Sequence, residues 1–166
     1  MNSSEKFAFS YIPKNVEELK NLPEANLDNP FKTAALAMVV LLNHENDKEK
    51  TFEMLDFLNG PDDVSVYTRQ FIDERLKDKE YKVKSFFEGA TLENGYVPTE
   101  PLTITISSNP YSFSDENWAT MYVTSSGADS PRPIKLRKKP STGQWFLNEI
   151  QCLSDIRVPA AADPWA

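Results

Sequence analysis

Near residue 80 the hydrophobic period of this chain changes, and few folds accommodate such a change. Upstream, apolar residues recur at the three- and four-residue spacing of helices. Downstream they alternate, as on strands. Helices gathered before strands give an α+β layer architecture. The expectation is about four N-terminal helices packed on one face of an antiparallel meander of about five strands. Residues 6–80 form the mainly helical part, 81–153 the sheet and 154–166 an extended C-terminal tail, all within one domain spanning 1–166.

The clearest helix begins at Pro30, with Asn29 before it as the cap. Phe31 and the run Ala34–Leu42 are apolar nearly all round, so this helix should be central and buried. Asn15 with Glu18 forms a capping box for a short helix that Pro23 stops. Asn46 with Glu49 forms a second, ahead of Phe52, Leu55 and Leu58 at helical spacing. Asn59-Gly60-Pro61 ends that helix, with Gly60 as a left-handed cap. A further helix runs from about Ser65 to Lys77, with Tyr67, Phe71, Ile72 and Leu76 as its apolar stripe.

Lys6–Ile12 alternates weakly and ends at Pro13. Tyr81–Phe87 reads as a strand, followed by Leu102–Ser107, Asn117–Thr124, Pro133–Lys138 and Gln144–Ile150 with turn residues between them. Leu102, Ile104, Ile106, Ala119, Met121, Val123, Ile134 and Leu136 should face the helices.

Several chemistries are excluded or disfavoured. The five glycines form neither G-x-G-x-x-G nor a P-loop, and there is no G-x-S-x-G elbow. His44 and Cys152 are the only residues of their kinds, too few for a usual zinc site, and their spacing does not recommend a nucleophile pair. Glu88, Glu93, Asp129, Glu149 and Asp155 lie near the predicted sheet or its loops, and solvated or capping roles are expected of them. No cofactor and no metal are expected, and the balance leans away from an enzyme. A net charge of −7 disfavours general nucleic-acid binding. A lone cysteine gives no sign of an oxidising compartment, and residues 1–6 lack an apolar signal core. The apolar run Ala34–Leu42 is far below the roughly 18–20 residues that cross a bilayer. A soluble, cytoplasmic protein is the default expectation.

The outward parity of the sheet supplies the candidate binding residues. Thr103 and Thr105 lie on one strand, Trp118, Thr120 and Tyr122 on the next, and Lys135 and Arg137 on the third. Exposed aromatic rings with basic neighbours can stack on a ligand or anchor a protein; the plainer reading is a solvated face. The segment Ser126–Pro133 is the second candidate: two prolines flank Arg132 and stiffen the backbone, and Asp129 sits where a turn would use it. There the internal reading is favoured: an Asp129–Arg132 or Asp155–Arg157 pair that fixes the loop. Trp165 is expected to dock on its own domain.

Several strings carry a resemblance: Ser85-Phe86-Phe87-Glu88-Gly89-Ala90-Thr91, Asn94-Gly95-Tyr96-x-Pro98, Asn109-Pro110-Tyr111-Ser112 and Ser126-Gly127-Ala128-Asp129-Ser130-Pro131-Arg132-Pro133. So do Leu136-Arg137-Lys138-Lys139, Gln144-Trp145 and Asp163-Pro164-Trp165-Ala166. From about residue 30 onward the chain resembles a family of small bacterial proteins of unknown function, found mainly in Firmicutes. The resemblance brings no activity, but implies that the loop and tail strings belong to the domain. The leading expectation is a non-enzymatic binding module using the sheet face or the 126–133 loop, with an unidentified protein or small-ligand partner. The alternative is a small-molecule pocket protein or an enzyme, with a cavity between helices and a curved sheet as in NTF2-like proteins.

Overall fold

The computed structural model describes residues 3–165. A five-stranded antiparallel sheet has the order β1-β2-β3-β4-β5: Ser4–Phe9, Leu102–Ser107, Trp118–Val123, Arg132–Lys139 and Gln144–Ile150. The helices lie between β1 and β2 in the chain: α1 Val16–Lys20, α2 Pro30–Leu41, α3 Lys48–Asn59, α4 Val66–Leu76 and the single turn α5 Tyr81–Lys84. The α+β class and the meander agree with the reading of the sequence.

Helix α2 is the spine. The Asn29 side chain accepts from the Lys32 N–H, Pro30 opens the first turn, and every residue from Ala34 to Leu41 is buried. Met38, Val39, Leu41 and Leu42 share one continuous core with Ile104, Ile106, Val123, Ile134 and Leu136. No helix is long and apolar enough, among the described residues, to cross a membrane.

Four local expectations change. Tyr81–Phe87 is a helical turn with a bend after it, not a strand. Val83, Phe86 and Phe87 are the buried apolar residues there, at the i, i+3, i+4 spacing of a helix, and Lys82 is buried where a strand would turn it outward. The weak Lys6–Ile12 segment supplies the fifth strand instead, as β1 with Phe7 and Phe9 inward. The cap of α3 is Asp47, whose side chain accepts from the Lys50 N–H, so the helix starts one residue later than an Asn46 cap would set it. Tyr67 stands in solvent, so the stripe of α4 narrows to Ile72 and Leu76 with half-buried Phe71.

At β5 the Trp145 N–H donates to the Leu27 carbonyl and the Thr33 hydroxyl donates to the Trp145 carbonyl, so the edge is partly closed. At the end of α3, Gly60 adopts φ +90° and ψ −139°. That is a positive-φ cap but not the left-handed helical one expected. A methyl group there would come within 2.8 Å of the Phe146 ring, so Gly60 is required for contact as well as for backbone angle.

Candidate functional site

Register decides which outward residues meet. Across β3–β4, Trp118 stands opposite Arg137, Thr120 opposite Lys135 and Tyr122 opposite Pro133. Arg137 in turn stands opposite Phe146 of β5. Directly opposed residues share a face, so Trp118, Arg137 and Phe146 form one row across three strands. The Arg137 guanidinium carbon lies 5.1 Å from the Trp118 ring centroid, at stacking distance.

The other predicted residues separate from this row. Tyr122 is four residues along β3, about 13 Å away at strand rise. Lys135 is exposed and faces Glu149 across β4–β5. Arg132 opens β4 and lies at the far end of that strand from Arg137. Its guanidinium donates to the Asp155 carbonyl at 3.2 Å, while Asp129 pairs with the Arg157 guanidinium. Neither expected pair, Asp129–Arg132 or Asp155–Arg157, forms: Asp129 takes Arg157, and Arg132 takes only the backbone carbonyl of Asp155. Gly127 is also enclosed: a methyl group would overlap the Tyr96 hydroxyl, which donates to the Arg157 carbonyl at 2.8 Å.

The tail does not cover the Trp118 row. Its backbone bonds go to the Gly127 and Leu92 carbonyls, and Ile156 is its buried anchor. Trp165 is 93% exposed, contrary to the expectation that it docks. The chain beyond Pro159 turns through Ala160–Ala162, and the Trp165 N–H closes locally on the Asp163 carboxylate.

Sequence reasoning missed the cleft beside Arg137. The turn after α3 and the tip of the β4–β5 hairpin enclose a cleft of about 380 Å³. Asn59, Pro61 and Asp62 form one wall, and Arg137, Lys138 and Lys139 the other. Phe146 and Leu147 add apolar surface and Asn148 a side-chain amide. Among the described residues, none of the three cations pairs with a carboxylate within 4 Å. The run Arg137-Lys138-Lys139 was the available signal, but only the fold shows that the Asn59–Asp62 turn faces it.

Exposed aromatics gather at the same end of the sheet. Tyr111 and Phe113 precede β3 and are 78% and 51% exposed, and Trp118 is 38% exposed. Phe113 meets Trp145 edge-to-face, with ring centroids 6.3 Å apart. The other half of the face is hydroxyl-rich. Shallow hollows there are lined by Thr105, Ser107, Tyr122 and Thr124. None of the described clefts is lined by α2, whose residues from Ala34 to Leu41 are buried.

The remaining reactive groups are committed elsewhere. Burial pushes the Cys152 thiol up to about 12, and its sulfur lies 3.7 Å from that of Met38. His44 Nε2 is 2.9 Å from the Asp73 carboxylate, which also takes Lys48 at 3.4 Å. Among the described residues no hydrogen bond joins Cys152 to His44. Desolvation, then repulsion from Lys79 and Arg75, lowers the pKa of nearly buried Lys82. Among the described residues, no group of three or more His, Cys, Asp or Glu is placed to hold a metal ion.

A family model described as a domain of unknown function, DUF6935, matches residues 11–160. No curated protein and no solved structure matches the chain.

Proposed function

We propose that this chain, which belongs to the DUF6935 family of domains of unknown function, is a non-enzymatic binding module. It uses the Trp118–Arg137 end of its outer sheet face to hold an acidic partner. One observation carries the reading. In a protein of net charge −7, Arg137, Lys138 and Lys139 run consecutively at the end of β4 with no carboxylate in ion-pair contact among the described residues, and Arg137 lies over the ring of exposed Trp118. Surface cations in an acidic protein gain energy from pairing with local carboxylates. Cations left free next to exposed aromatics are suited to a partner that supplies the charge. The 126–133 loop drops out of the reading, because its charges have internal partners. The lone buried Cys152 suits a reducing bacterial cytoplasm, and we place the protein there as part of the same reading.

Retention on a poly-glutamate resin tests this. The native protein should be held at low salt and released by about 0.2 M NaCl, where screening shortens the reach of surface charge. A Trp118→Ala/Arg137→Ala variant with an unchanged circular dichroism spectrum should flow through. Native protein in the flow-through, or a variant held as tightly as native, would remove the reading.

A further inference from the structure

We propose that the cleft between the α3 turn and the β4–β5 hairpin binds a small phosphate monoester with a flat or cyclic body. This deepens the binding-module reading and rests on it. The volume, about 380 Å³, is within the range of small-ligand sites. The lining sets three cations, Arg137, Lys138 and Lys139, against one carboxylate, Asp62. A phosphate monoester carries about −1.5 to −2 charges near neutral pH, which matches that excess. Arginine offers a planar fork to phosphate oxygens, and the lysines add compact point charges.

The apolar part of the ligand has a place too. Phe146 lies against Gly60, where even a methyl group would crowd its ring, and Pro61 and Pro140 stiffen the rim. Asn148 sits at the irregularity of β5, where Lys135 pairs with Glu149 but Leu136 already pairs with Leu147. It is the unpaired extra residue, and bulges of this kind re-aim side chains. The Asn59 amide, by contrast, is spent on the Asp62 carbonyl at 2.7 Å.

A competing role for the lysines is local. Cations near a helix C-terminus favour its partial negative charge, and α3 ends at this cleft. The two roles separate by experiment. Amide-resolved NMR of the full chain would be titrated in parallel with AMP, adenosine, citrate and a Glu-rich octapeptide. AMP should shift Gly60, Phe146 and Asn148 in a saturable way, with Kd of about 1 mM or tighter. Adenosine and citrate should bind at least about tenfold more weakly than AMP. A Lys138→Gln/Lys139→Gln variant should keep its melting temperature and lose about tenfold in AMP affinity. Absence of saturable AMP shifts, equal binding of citrate, or a variant that loses stability without losing AMP would overturn the proposal. In those cases a peptide that still shifts the Trp118 indole leaves the binding-module reading standing, and a peptide that shifts nothing removes both.

Discussion

Trp118 and Arg137 face each other across β3–β4 in direct register, with the guanidinium 5.1 Å from the ring centroid. A cation over an aromatic ring at a partly exposed site is worth roughly 0.5–1 kcal/mol. A double-mutant cycle with Trp118→Ala and Arg137→Ala, read by urea unfolding, should give a coupling of about that size. A coupling near zero would mean that the two side chains are independent in solution.

The core carries most of the stability. Leu41 is fully enclosed in α2, and Leu41→Ala should cost roughly 2–5 kcal/mol of unfolding free energy. A loss below about 1 kcal/mol would place that helix at the surface.

Two glycines are fixed by contact. Gly60→Ala should destabilise the chain, because it adds a positive-φ penalty to a clash with Phe146. Gly127→Ala should also destabilise, because the methyl would displace the Tyr96 hydroxyl from the Arg157 carbonyl. If either variant melts like the native protein, the packing described at that position is wrong.

Alkali should unfold the protein sooner than neutral pH does. Burial raises the pKa of Cys152 to about 12 and raises those of Tyr81 and Tyr96. Groups of this kind contribute stability that is whole below their unfolded values, about 9 for the thiol and 10 for the phenols, and is lost as pH rises through the folded ones. Lys82 acts in the opposite direction, since its lowered pKa favours the folded state as pH rises, but it is one group against three. Stability by urea unfolding should therefore decline above about pH 9. At pH 8 the native thiol should resist an aromatic disulfide reagent and react fully in denaturant. Rapid native labelling would contradict the burial of Cys152.

The layer order was legible in the sequence because long, strongly periodic segments state it. Pro30 and Asn29 marked the start of α2, and clean alternation marked the inward faces of β2, β3 and β4. Tyr81–Phe87 misled because alternation over four residues also fits a helical turn whose buried set is Val83, Phe86 and Phe87. Trp165 misled because ring size argues for burial only where a docking surface lies within reach. The cleft was not legible at all. The sequence shows a basic run and a helix stop, and only the fold brings Asn59, Pro61 and Asp62 to the same cleft as Lys138 and Lys139.

We propose that the Trp118–Arg137 end of the sheet holds an acidic partner. The most direct test is a titration of the native protein with a Glu-rich octapeptide, read at the indole N–H signals. The three tryptophans lie on β3, β5 and the tail, so each reports a different region. The Trp118 signal should shift in a saturable, salt-sensitive way, while that of Trp165 stays in place. No movement at Trp118, or movement confined to Trp165, would contradict the account.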